Sequence, residues 1–189
     1  MKKIKNITDE ALMKRLQKNG DEAAFNEIYL RYNQRLLYFM FKMLGQDEAK
    51  AQDFLQDVFL KIIAEPDKFD TAKNFKTWIF TVAANKCKND YRIIKPSHVD
   101  LHPEIVSETE NADKLIDQEL FKTNLSQYLN ELIPVYKEVF VLRYHEGLSL
   151  NEIAIIVACP LGTVKSRLFS ATKILSEKLD HFKQNYYAI

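Results

Sequence analysis

The sequence predicts an all-α protein built as two small helical domains joined by a flexible acidic linker. Three observations carry this. Only four Gly and five Pro occur in 189 residues, and the remainder is rich in Leu, Ile, Phe, Ala, Lys and Glu, which favour helices. Apolar residues recur at three- and four-residue spacing through most of the chain. Charge is also segregated. Residues 1–92 carry 17 basic and 13 acidic groups, net +4; residues 93–120 carry 2 and 7, net −5; residues 121–189 carry 8 and 6, net +2. Two mildly basic blocks around an acidic stretch fit two domains and a linker, with boundaries at 1–93, 94–111 and 112–189.

Thr8, followed by Asp9 and Glu10, reads as the cap and acidic first turn of a helix to about Lys18, closed by Asn19-Gly20. Asp21 caps the next helix, where Phe25, Ile28, Tyr29, Tyr32, Leu36, Phe39 and Met40 repeat at helical spacing and Gly45 ends the run. Their period matches burial, so the aromatics read as core.

Asp47 caps a third helix that Pro66 stops. Leu55, Val58, Phe59 and Ile62 form its apolar side. Its opposite face holds Asp53, Gln56 and Asp57 with Leu60 among them. No His or Cys shares that face, so acid–base or metal chemistry has little support. An apolar spot in an acidic stripe hints instead at a protein-binding surface.

Residues 66–74 read as a loop carrying Lys68, Phe69 and Lys73, and Asn74 then caps a helix through Arg92. That helix has two apolar flanks, Phe75/Ile79/Val82 and Phe80/Ala84/Cys87/Tyr91. Between them runs a polar stripe of Thr77, Thr81, Asn85, Lys88 and Arg92, with Trp78 at its edge. Lys and Arg suit phosphate, Thr and Asn suit base edges, and Trp suits an unpaired base. A solvated face with a core Trp fits the same pattern.

The acidic linker contains His98 and His102, but Pro103 and the loop composition argue against a metal pair. Helix resumes near Ala112, with Leu115, Ile116, Leu120, Leu125, Leu129 and Leu132 on one face. A further helix spans Val135 to His145 and ends at Gly147.

Ser149 and Glu152 form a capping box, flanked by Leu148 and Ile153 at the staple positions. Pro160 fits the first position of a second helix running to about Phe182. Val164, Leu168, Ala171 and Leu175 line one side of it. Thr163, Ser166, Arg167 and Ser170 line the other, with Lys165 on the flank. Two short helices with this outer face suit a DNA major groove, although helix hairpins also occur in proteins that never touch DNA.

Cys87 and Cys159 are far apart and form no C-x-x-C, so reduced thiols are the default. The lysines of MKKIKNITDEALM precede no apolar segment, and no later stretch is long and uncharged enough to span a bilayer. A cytoplasmic protein with no membrane insertion and no cofactor is expected.

Two stretches together resemble a known family. AQDFLQDVFLKII with FKTWIFTVAANKCKNDYR is similar to region two, and LIPVYKEVFVLRYHEGLSLNEIAIIVACPLGTVKSRL to region four, of bacterial RNA polymerase sigma factors of the extracytoplasmic-function group. The resemblance covers nearly the whole chain beyond the first twenty residues. It implies a non-enzymatic initiation factor whose partners are core RNA polymerase, promoter DNA and, as a family expectation, an anti-sigma factor. It places Asp53, Gln56, Asp57 and Leu60 on the clamp helices of the polymerase largest subunit. The 66–74 loop, with Lys68 and Lys73, and the helix carrying Thr77, Trp78, Thr81, Asn85, Lys88 and Arg92 would open the minus-ten element and hold a flipped base. Thr163, Lys165, Ser166, Arg167 and Ser170 fall on the helix that reads the minus-thirty-five element. Two departures stand out. Ser170 and Thr172 replace a usual basic pair, which weakens phosphate contact, and Ala158 replaces the usual turn glycine.

Overall fold

The computed structural model describes residues 4, 6–94 and 114–187, with side chains through 91, from 120 onward and as far as 180. Of the linker expected at 94–111, residues 95–111 with both histidines lie outside the described residues, as does the Arg92 side chain. Among those described, every regular element is helical.

The first domain holds α1 (Asp9–Asn19), α2 (Glu22–Met43), α3 (Glu48–Ala64), a 3₁₀ turn (Pro66–Lys68) and α4 (Phe75–Ile94). The predicted caps form as hydrogen bonds. Thr8 accepts from the Ala11 amide at 3.3 Å, Asp21 from Ala23 and Ala24, and Asp47 from Lys50. Gly20 closes α1 in the left-handed region at φ 61°, which only glycine enters without cost. The helices bury Leu12, Ile28, Leu36, Phe39, Ile62, Phe75, Ile79 and Phe80 in one core. Phe39 meets Phe80, and Phe69 meets Phe75, edge to face at 5.7 and 5.1 Å. Burial of each such ring stabilises by about 1.5–3 kcal/mol.

The second domain holds α5 (Lys114–Glu131), α6 (Pro134–Phe140), a π-helical turn (Val141–His145), α7 (Leu150–Val157) and α8 (Leu161–Tyr187). The helix expected over 135–145 therefore widens after Phe140, and the Glu146 amide reaches back to the Val141 carbonyl at 3.2 Å. Pro160 stands just outside α8, its carbonyl accepting the Thr163 and Val164 amides, and α8 runs five residues past the expected end. The Ser149–Glu152 box closes in both directions, at 2.8 and 3.3 Å.

The two domains share their core. α7 packs along α4 and α6 touches α2, so Val139, Leu142, Leu148, Ile153 and Val164 continue the buried cluster of the first domain. A smaller cluster of Leu129, Leu132, Ala171 and Leu175 ties α5 to α8.

Ala158 ends α7 in the left-handed region, at φ 54° and ψ 49°. A Cβ there costs about 1 kcal/mol. Ala158→Gly is therefore expected to raise stability by about that amount, read as a higher thermal midpoint. An unchanged or lower midpoint would mean that the turn is not strained.

Candidate nucleic-acid and protein interfaces

The outer face of α3 is open. Asp53, Gln56, Asp57 and Leu60 are all exposed, and Ile63, one turn beyond Leu60, adds a second apolar side chain: the two are 53% and 51% exposed. Tyr29 and Leu30 of α2 are exposed as well. Ile63 was hidden in the sequence because it adjoins the core residue Ile62, and periodicity alone cannot divide such a pair. Asp57 is not a free carboxylate. Lys86 of α4 reaches it at 2.6 Å, and the same ammonium lies 4.4 Å from the Phe54 ring centroid.

The 66–74 loop is held from below. Gln17 of α1 donates to the Pro66 and Phe69 carbonyls at 3.0 and 2.7 Å. Glu10 accepts the Phe75 amide at 3.0 Å, and Asn74 accepts the Thr77 amide and hydroxyl. Phe69 is buried and packs on Trp78 at 5.2 Å, while Lys68 and Lys73 project outward. Trp78 is half-buried between Phe69 and Phe75.

The polar stripe of α4 divides. Asn85 is exposed. Thr77 is buried, and the Thr81 hydroxyl donates to the Thr77 carbonyl at 2.8 Å. Lys88 is ion-paired at 3.0 Å with Glu138 of α6, a carboxylate only 2% exposed. Lys68, Lys73 and Asn85 are thus open and Trp78 half-open, whereas Thr77 is buried and Lys88 is engaged by the second domain.

A further ion pair, a hydrogen bond and a ring stack cross between the domains. Arg35 of α2 reaches the Glu146 carboxylate at 2.7 Å, and that side chain is 1% exposed. Lys76 donates to the Glu146 backbone carbonyl at 3.1 Å, and His145 stacks on Tyr38 at 3.6 Å. Burial pushes the Glu138 carboxyl above its ordinary range; Lys88 and then Arg167 pull it back.

On α8 the outward face is rotated from the expected one. Lys165, Ser166, Phe169 and Lys173 are exposed, whereas Thr163, Arg167 and Ser170 are half-buried. The Arg167 guanidinium leans toward the Cys159 sulfur at 3.7 Å. Phe169, 70% exposed, was missed. Its signal is an aromatic at i+4 from Lys165 and i+3 from Ser166, at a position that no buried partner requires. Such a ring suits the methyl group of thymine.

Among the described residues no cluster suits a metal ion, and no single helix is long and apolar enough to cross a membrane. Burial pushes the Cys87 thiol up to about 12, so it is not a reactive thiolate.

Comparison with known proteins matches two separate stretches of the chain. The family model "Sigma-70 region 2" matches residues 28–93, and "Sigma-70, region 4" matches residues 122–175. The ECF RNA polymerase sigma-E factor of Escherichia coli K12 is 30% identical over 185 residues, covering 92% of this chain and 95% of its own. The ECF RNA polymerase sigma factor SigW of Bacillus subtilis is 30% identical over 174 residues, 86% and 92% of the two chains. Among solved structures, CnrH in complex with the cytosolic domain of CnrY shares the fold at a TM-score of 0.69, with 24% identity, 92% of this chain and 97% of that one. The sigma factor RpoE in complex with the anti-sigma factor NepR, from Bartonella quintana, gives 0.62 with 26% identity, covering 82% and 96%.

Removing Arg35 would leave the Glu146 carboxylate buried without its guanidinium, a penalty of up to about 3 kcal/mol that separation of the domains relieves. Arg35→Ala is therefore expected to increase the radius of gyration in small-angle scattering at unchanged helix content. An unchanged radius would show that this pair does not hold the domains together.

Proposed function

This chain belongs to the extracytoplasmic-function group of the sigma-70 family, and from that footing we propose how its two domains share the work of a sigma factor. It directs promoter-specific transcription initiation by RNA polymerase. We place the working units at 1–93 and 112–189, with 94–111 between them. The polymerase supplies the chemistry; this chain supplies placement.

In the first domain, Asp53, Gln56, Asp57 and Leu60, extended by Ile63, dock on the clamp helices of the polymerase largest subunit. An acidic rim around exposed aliphatic side chains supports that assignment. Lys68, Lys73, Trp78 and Asn85 open the minus-ten element. Their exposure supports the reading: the lysines suit strand phosphates, and half-open Trp78 with exposed Asn85 suits an extruded base. Thr77, Thr81, Lys88 and Arg92 extend that surface once the second domain has moved away.

In the second domain, Lys165, Ser166 and Phe169 read the minus-thirty-five element, with Thr163, Arg167 and Ser170 at the edges of the reading face. Few cations stand there, so this domain reads DNA chiefly while tethered through polymerase, where effective concentration supplies what its own contacts lack. An anti-sigma partner, as seen with the similar RpoE, would act by occupying these surfaces.

The observation that carries the assignment is the pairing, on one chain, of an exposed acidic–aliphatic α3 face with a capped helix-turn-helix whose second helix is open. A regulator that binds DNA alone has no use for the first.

Run-off transcription with purified core polymerase on genomic fragments tests it: promoter-specific transcripts are expected, and their absence with competent core would overturn the reading. Asp57→Arg is expected to abolish core binding in a pull-down, since it reverses the charge and sets an Arg beside Lys86. Lys165→Ala, Arg167→Ala and Phe169→Ala are expected to keep core binding and to cost about 1–3 kcal/mol of promoter discrimination each. Equal loss of core binding in both sets would refute the division of labour.

A further inference from the structure

A cleft between α2 and α5 has a chemistry that neither proposed interface uses. Its volume is about 630 Å³, within the range of small-molecule sites. Tyr38, Lys42 and Gln46 line one wall; Lys122, Ser126 and Asn130 line the other. None of the ten residues around it is acidic.

The hydrogen-bonding arithmetic is lopsided. The Ser126 hydroxyl oxygen accepts from both the Lys42 ammonium and, at 2.8 Å, the Gln46 amide. Behind Asn130 stands Lys137, whose ammonium has the Asn130 carbonyl oxygen at 3.5 Å. Lys42 is 5% exposed and Lys137 is 4% exposed. Each ammonium carries three donors, and among the described residues neither has a carboxylate in ion-pair range. The Tyr38 and Phe41 rings, with centroids 5.4 and 5.6 Å from the Lys42 nitrogen, offset part of its charge. Buried cations normally carry a paired anion.

We propose that this cleft binds a small phosphate-bearing anion, received by Lys42, Lys122 and Gln46 and stabilised by the positive charge of Lys137 behind them. Desolvation holds the amines of Lys42 and Lys137 below the usual lysine range, Lys137 at about 8, and Lys42 repels Lys137 further. An anion with several acceptor oxygens relieves both effects at once. A nucleic-acid strand fits less well. Strand-binding grooves offer open aromatic faces, whereas the one aromatic lining the cleft, Tyr38, has a face covered by His145. Because α2 belongs to the first domain and α5 to the second, the bound anion also favours their packed arrangement by mass action.

The test is calorimetric titration of the full chain with pyrophosphate, at ionic strength held constant with chloride. The wild type is expected to give a saturable one-to-one isotherm and a raised thermal midpoint. Lys42→Met keeps the apolar stem and is expected to weaken binding at least tenfold with an unchanged circular dichroism spectrum. Ser126→Glu supplies an internal carboxylate and is expected to abolish binding while raising the midpoint of the anion-free protein. Orthophosphate and ATP in parallel tell an inorganic anion from a nucleotide. No saturation at millimolar pyrophosphate, wild-type affinity in Lys42→Met, or intact binding in Ser126→Glu would overturn the proposal. So would saturation by a short single-stranded oligonucleotide where pyrophosphate gives none.

Discussion

Two carboxylates fix the arrangement of this molecule. Glu138 and Glu146, both in the second domain, are almost wholly out of water. A buried carboxylate is tolerated only when matched by a cation or by hydrogen bonds. Here the matching cations, Lys88 and Arg35, come from the first domain, the latter 111 residues away in sequence, while the neighbouring His145 ring adds a local contact to Glu146 at 3.2 Å. The segment from α6 through the π-helical turn is therefore complete only against α2 and α4. The stacking of His145 on Tyr38, the reach of Lys76 to the Glu146 carbonyl and the packing of α7 along α4 all lie around those two pairs.

α4 bears most of the consequence. One flank joins the core of its own domain through Phe75 and Ile79, its start is held by Glu10 and Asn74, and Lys86 ties it to Asp57 on α3. A helix held from so many directions is rigid, which suits the surface proposed to hold melted DNA. The same confinement explains why its polar stripe is split between open and covered residues. The tie between Lys86 and Asp57 also makes the proposed polymerase face and the proposed DNA helix electrostatic neighbours.

Much of this was legible from sequence, for local reasons. Caps are local chemistry, and Thr8, Asp21, Asp47 and Ser149 each stand where the sequence places them. The acidic face of α3, broken by Leu60, also depends only on helical spacing. What escaped depends on contacts between distant residues. Glu138, Glu146, Lys42 and Lys137 carry no mark of their burial in the sequence, because nothing in their local neighbourhoods announces it. The π-helical turn at 141–145 leaves no signature in apolar period. On α8 the wheel identified the buried side through Val164, Ala171 and Leu175 but set the outer face too far round, toward Arg167. Phe169 lay outside both of its faces, although an apolar ring that no buried partner requires is itself a signal.

The pairing of Lys88 with Glu138 has a consequence in populations. The Lys88 ammonium is largely neutralised by a buried carboxylate in the packed form, so any strand that needs its full charge favours molecules whose domains have parted. The apparent affinity of a two-state protein is its intrinsic affinity scaled by the competent fraction. A molecule packed roughly 99 times in 100 would therefore bind about a hundredfold more weakly than its contacts allow. Reciprocity supplies the counterpart: a partner that prefers the parted form recovers for DNA the same factor that it gains itself. Promoter affinity would in this sense be a property of the whole chain, set as much by Glu138 on α6 and Glu146 just past the π-helical turn as by the residues proposed to face the bases.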